Sequence, residues 1–148
     1  YPRGTGPNAS VNSDLEAEEI GKAKVVKESE SNVVFLNFGA LLDKALEVSE
    51  KMDFTLIDMR FVKPLDQEIL KKYLSKADYF VSLEDGSIAG GAGSAVQEFC
   101  SIESIDIKSI LLGIPDRFIE HSSREEMLES AGLSVAKILD RLKPLLGK

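Results

Sequence analysis

Tryptophan is absent from these 148 residues, histidine and cysteine occur once each, and Lys and Arg together (18) are outnumbered by Asp and Glu (25). Each scarcity excludes something. A single cysteine, Cys100, cannot close an internal disulfide, and no other Cys or His stands near it at metal-ligand spacing. An oxidised scaffold is therefore excluded, and a reducing compartment, the cytoplasm, is expected. The formal net charge is −7. With no cluster of Lys and Arg, that charge argues against a nucleic-acid surface, because neutralising phosphates takes clustered cations. No apolar run approaches the roughly 20 residues needed to span a bilayer, so no membrane partner is expected. The opening residues also lack the apolar stretch beside a basic run that marks a signal peptide.

What remains is ordinary globular composition, long enough for one domain that buries roughly 68–70% of its unfolded surface. The chain opens YPRGTG, with Tyr1 where a gene product normally has Met. It therefore reads as a piece of something longer, its first hexapeptide belonging to a neighbouring domain. Residues 1–22 are rich in Gly, Pro, Asn, Ser and acids without sustained apolar periodicity, which describes a linker or surface arm. Residues 23–148 form the globular domain.

In that domain short apolar runs alternate with amphipathic ones. AKVVKE, NVVFLNFG, FTLIDMRF, DYFVSLED and SIDIKSILLGI read as five strands. Only the polar break Glu28–Asn32 separates the first two, which predicts an antiparallel hairpin at one end of the sheet. Helical spacing follows: Leu41, Leu42, Ala45, Leu46 and Met52; Ile69, Leu70, Tyr73 and Leu74; Ala92, Val96 and Phe99. This βαβ alternation predicts a three-layer α/β fold, a five-stranded, mostly parallel sheet with one antiparallel edge strand and helices on both faces. Beyond Pro115 two more helices are expected, capped by Ser122 or Ser123 and by Ser134, with Gly132 ending the first. The second carries Val135, Ile138, Leu139, Leu142 and Leu145 as a stripe that docks on the sheet and ends before Gly147.

GSIAGGAGSAV, residues 86–96, places four glycines between a strand and a helix, where backbone N–H groups could cradle a phosphate. The dinucleotide pattern G-x-G-x-x-G fails, because Val96 stands where the third glycine belongs, and no Lys-Ser or Lys-Thr follows as in a P-loop. The favoured reading is a tight turn with close helix packing. His121 follows Asp116, Arg117 and Glu120 in the segment leaving the last strand. Carboxyl ends of strands gather ligands in open α/β sheets, and an imidazole beside a carboxylate exchanges protons near neutral pH. Against this stands a reading of Asp–Arg and Glu–His pairs as interface or capping contacts. Cys100, beside Phe99, reads as core, and Ser94 lacks the glycines of a nucleophile elbow.

YPRG at 1–4, FGALL at 38–42, DMRFVKPLD at 58–66, GGAGSAV at 90–96 and GIPDRFIEH at 113–121 occur in that order. Together they resemble the C-terminal region of the 1-deoxy-D-xylulose-5-phosphate synthases, a transketolase-like family. The resemblance implies a fold of the transketolase C-terminal type. For the full enzyme it implies a homodimer that uses thiamine diphosphate and Mg2+ to decarboxylate pyruvate and join the two-carbon fragment to glyceraldehyde 3-phosphate, starting isoprenoid-precursor synthesis. It also implies that Arg3 helps hold the aldehyde's phosphate, for which a planar guanidinium fork is suited. Two departures from the family's habit are Ser122, where glycine usually follows the histidine, and the turn Glu84-Asp85-Gly86-Ser87.

The resemblance places the diphosphate and its metal on a Gly-Asp-Gly segment and a later Asn. Glu84-Asp85-Gly86 lacks the first glycine, and every Asn precedes residue 38. The chain alone is therefore expected to bind no cofactor or metal and to turn nothing over. Two roles stay open: the supporting third domain of that enzyme, with Arg3 and the His121 segment on the substrate side or at an interface, or a separately encoded, non-catalytic subunit of a split transketolase-like assembly.

Overall fold

A computed structural model describes residues 17–145. Five strands form one sheet in the order β1-β3-β2-β4-β5, from β1 (Lys24–Lys27), β2 (Val33–Phe38), β3 (Thr55–Asp58), β4 (Tyr79–Ser87) and β5 (Lys108–Ile114). All neighbours run parallel except β1, which pairs antiparallel with β3. The α/β sheet with an antiparallel edge strand is as expected, but the hairpin between the first two strands does not form. Burial explains the difference. Every residue of β2 is buried, which requires partners on both sides, whereas β1 alternates exposed and half-buried and suits an edge. The intervening break carries the chain over the amino end of β3. There Ser29 N–H donates to Thr55 Oγ1 (3.1 Å), Thr55 Oγ1 donates to the Ser29 carbonyl (3.1 Å) and Ser29 Oγ donates to the Asp53 carbonyl (2.6 Å).

Helices cover both faces. On one side α1 (Leu42–Met52) and α5 (Val135–Leu142) bury Ala45, Val48, Ile138 and Leu142 against Phe35, Leu56, Val81 and Leu112. On the other, α2 (Gln67–Leu74) and α3 (Ala92–Ile102) bury Leu70, Leu74, Val96 and Phe99 against Val34, Leu36, Ile57 and Phe80. Cys100 joins this second cluster, and burial pushes its thiol pKa up. The last expected strand is shorter than its apolar run. Ser104 takes a left-handed backbone (φ 56°), and Ile105 N–H reaches back to the Cys100 carbonyl (2.9 Å). Residues 104–107 therefore unwind the end of α3 before β5 begins.

Beyond β5, α4 (Arg124–Ala131) starts at Ser123 with a reciprocal capping box to Glu126 and stops at Gly132, whose φ of 79° favours glycine. Ser123, and not Ser122, is thus the cap. Ser134 caps α5, and a 3-10 turn over Lys143–Leu145 follows. The expected stripe docks as a unit: Ile138, Leu142 and Leu145 are buried, with Val135 and Leu139 packed beside them.

Candidate functional site

Because β2, β3, β4 and β5 are parallel, their carboxyl ends share one edge of the sheet, where folds of this type gather ligands. The crossovers from β2 and β4 leave in opposite directions, so these two neighbours mark the switch in strand order. Polar side chains converge at this edge from otherwise apolar strands. Asn37 and Asp58 are register partners, and Asn37, fully buried, donates through Nδ2 to Asp58 Oδ1 (3.2 Å) and to the Gly39 carbonyl (3.1 Å).

Glu84 settles what the glycine-rich turn does. Its buried carboxylate accepts hydrogen bonds from the first two amides of α3, Ala92 N–H (2.8 Å) and Gly93 N–H (3.2 Å). A carboxylate at a helix N-terminus satisfies orphan donors and complements the macrodipole. The cradle that could have taken a phosphate is therefore filled by the chain's own side chain. The glycines serve this contact. A Cβ at Gly91 would lie 2.1 Å from the Ser87 carbonyl oxygen and 2.3 Å from Glu84 Oε2, and one at Gly93 would lie 2.3 Å from Ser82 Oγ. Ser94 hydroxyl donates to the Ile88 carbonyl (3.1 Å) and braces the same turn.

Asp85, next along β4, pairs with Arg124 (2.9 Å), and Lys44 of α1 pairs with Glu125 (2.9 Å). These two ion pairs hold the start of α4 against the edge and so place the 115–123 segment. In that segment Asp116, Arg117, Glu120 and His121 are all exposed. Neither the Asp116–Arg117 nor the Glu120–His121 pairing is among the ion pairs of the described residues. Arg117 instead donates to the Ser130 carbonyl (2.6 Å), stapling the segment to the far end of α4. Phe118 projects fully into solvent. Arg3 lies outside the described residues.

Two contributors escaped the sequence reading although a signal existed for each. Glu84 is an acid in the second half of β4, eight residues before a helix start whose cap residue, Gly91, makes no side-chain hydrogen bond. Asp66 precedes α2 in Asp-Gln-Glu-Ile and caps Ile69 N–H (3.1 Å), a standard helix-start pattern. Among the described residues no group of three His, Cys, Asp or Glu is placed to hold a metal ion, and no helix is long and apolar enough to cross a membrane. Two shallow surface hollows are lined, one by Glu125, Glu126, Glu129, Ser130 and Ser134, the other by Asp66, Glu68, Ile69 and Lys72.

Comparison with known proteins agrees with this architecture. The family profile described as "Transketolase, C-terminal domain" matches residues 21–138. Among curated proteins, 1-deoxy-D-xylulose-5-phosphate synthase of Stutzerimonas stutzeri is 48% identical over 93% of this chain and 22% of its own length. That of Psychromonas ingrahamii is 49% identical over 90% of this chain and 22% of its own length. The chain thus spans about a fifth of the relatives it matches. Among solved structures, "Split gene transketolase, inactive beta4 tetramer" superposes with a TM-score of 0.79 at 29% identity, over 93% of this chain and 45% of that one. Transketolase from Campylobacter jejuni superposes at 0.62 with 19% identity, over 90% of this chain and 20% of that one, a likeness of fold alone. The chain belongs to the transketolase C-terminal domain family.

Proposed function

We propose that this chain is the C-terminal domain of a thiamine diphosphate-dependent 1-deoxy-D-xylulose-5-phosphate synthase, cytoplasmic and homodimeric. In that enzyme pyruvate and glyceraldehyde 3-phosphate yield 1-deoxy-D-xylulose 5-phosphate and CO2. The carrying observation is identity of 48–49% across at least 90% of the chain with relatives of that name. The domain's work is support. It buttresses the domains that hold the cofactor and completes the dimer, while Arg3 grips the aldehyde's phosphate.

The described residues do not fit the cofactor themselves. A diphosphate with Mg2+ needs hard oxygen ligands and free backbone donors. Among the described residues the glycine-rich helix start is filled by Glu84, and no group of three acids is placed to hold the ion. Calorimetric titration of the 148-residue chain with thiamine diphosphate and Mg2+ is expected to give no saturable heat; micromolar binding would refute the supporting role. An exposed Phe118 beside Asp116, Arg117, Glu120 and His121 supports assigning the 115–121 segment to an interface with the other domains or the second copy, since burying that ring there would contribute about 1.5–3 kcal/mol.

Within the longer polypeptide, Arg3→Ala is expected to raise the KM for glyceraldehyde 3-phosphate about ten- to a hundredfold, with that for pyruvate little changed. That range corresponds to losing one charged hydrogen bond of about 1.5–3 kcal/mol. Equal effects on both substrates would contradict the assignment. The split-gene relative favours a second reading, a separately encoded non-catalytic subunit. The reading frame upstream of Tyr1 separates the two. A continuous frame that contains Gly-Asp-Gly supports the first, and a Met start close to Tyr1 supports the second.

A further inference from the structure

The nine residues DMRFVKPLD are the longest motif in the chain whose chemistry the proposed function leaves unused. They form the connection from β3 to α2, and two of its charged side chains, Arg60 and Asp66, are turned toward one short segment, residues 18–23. Arg60 ion-pairs with Glu18 and reaches Asp58 through Nε (3.7 Å). Pro64 packs on Gly21 so closely that a Cβ there would lie 2.8 Å from Pro64 Cγ. Glu68, just beyond the motif, pairs with Lys22 (2.9 Å). Asp66, 7% exposed, divides its carboxylate between two tasks: Oδ1 caps Ile69 N–H (3.1 Å) and Oδ2 accepts Ala23 N–H (3.0 Å).

Three contacts from the loop and one from the first turn of α2 onto the segment 18–23 make a clamp, and the clamp is tied to the core. Asp58, which steadies Arg60, is itself held by the fully buried Asn37. Arg60 also keeps a left-handed backbone (φ 57°), a conformation that a long side chain rarely adopts and that the surroundings must impose. The segment it holds has little else to keep it in place. Residues 17–20 are exposed, Ile20 among them at 75%, and their local order is one turn bond from Lys22 N–H to the Glu19 carbonyl (3.2 Å).

We propose that DMRFVKPLD is a clamp for the polypeptide entering this domain and that Arg60 is its latch, a positioning residue that fixes where the upstream chain leaves the domain, beside the carboxyl end of β3. With the latch closed the tether point is Glu18. With it open the tether point retreats to Lys22 and Ala23, four or five residues further along, roughly 13–18 Å of chain at full extension. The inference concerns only where the arm is held and stands apart from the role proposed for Arg3.

The test uses the 148-residue chain and two readouts. In Arg60→Ala and in Glu18→Ala, exchange of the Lys22 amide is expected to quicken two- to fivefold, the range for losing one partly exposed ion pair. Leu36, in the core, is expected to keep its rate. Arg60→Lys, which keeps a cation between Asp58 and Glu18, is expected to retain protection, which separates latching from any general loosening caused by a substitution at a strained position. Between nitroxides on Glu19→Cys and Lys51→Cys, the distance distribution is expected to broaden in Arg60→Ala and to stay narrow in Arg60→Lys. A Lys22 amide or a distance distribution indifferent to Arg60→Ala overturns the proposal, as does an Arg60→Lys variant that loosens as much as Arg60→Ala.

Discussion

Replacing Glu84 by alanine is expected to remove about 3–6 kcal/mol from the stability of the folded chain, read as a fall in the denaturant midpoint at unchanged slope. The loss falls on both sides of one contact. Hydrogen bonds to a charged acceptor are worth about 1.5–3 kcal/mol each, and Glu84 accepts two. Their donors, Ala92 N–H and Gly93 N–H, belong to residues that are themselves buried, so both would be left without a partner. Against a total of about 5–15 kcal/mol for a domain, such a loss is large. Glu84→Gln keeps one acceptor oxygen but loses the charge that complements the helix start, and about half the effect is expected. If Glu84→Ala shifts stability by less than about 1 kcal/mol, the carboxylate is not what secures α3 and the turn is free to bind an anion.

Much of this was written in the sequence. The four parallel strands betray themselves by consecutive apolar residues, as in Val33–Leu36, because a strand covered on both faces has no polar side to show. Helix ends at Ser123, Gly132 and Ser134 follow from caps that act within a few residues. The misread hairpin shows where such legibility stops. A short polar break is equally compatible with a turn between neighbours and with a crossing over one intervening strand. What decides is the demand of β2 for two partners, a property of the whole sheet. The same limit applied at the candidate site. Cα register brings Asn37 beside Asp58 from 21 residues away, and Glu18 meets Arg60 across 42, pairings for which no local pattern exists. The His121 segment was placed correctly after the last strand, but its partner for Arg117 proved to be a backbone carbonyl, which carries no mark in the sequence.

Gly91→Ala and Gly93→Ala are expected to destabilise the chain for the same steric reason yet to respond differently to a second substitution. At Gly91 the added Cβ meets a backbone oxygen at 2.1 Å and the capping carboxylate at 2.3 Å. Both lie far inside the roughly 3.5–4.0 Å of ordinary contact, and relief means moving the turn or expelling Glu84 from the helix start. A loss of at least about 3 kcal/mol is expected, at the top of the usual range for overpacking, and no single partner change restores it. At Gly93 the obstacles are side chains, Ser82 Oγ at 2.3 Å and Leu111 Cδ2 at 2.9 Å. There the gain of about 1 kcal/mol from placing alanine in a helix offsets part of the clash, for a net loss of about 2 kcal/mol. Ser82 is fully buried and its hydroxyl has no hydrogen-bond partner among the described residues, so Ser82→Ala alone should cost little. Combined with Gly93→Ala it removes the nearest obstacle, and the double-mutant cycle is expected to give a favourable coupling of at least about 1 kcal/mol. Additive losses at residues 82 and 93 would mean that α3 shifts away from β4 when Gly93 is replaced. The glycines would then matter for the flexibility of the turn, and close packing of α3 on the strand that carries its cap would not be their purpose.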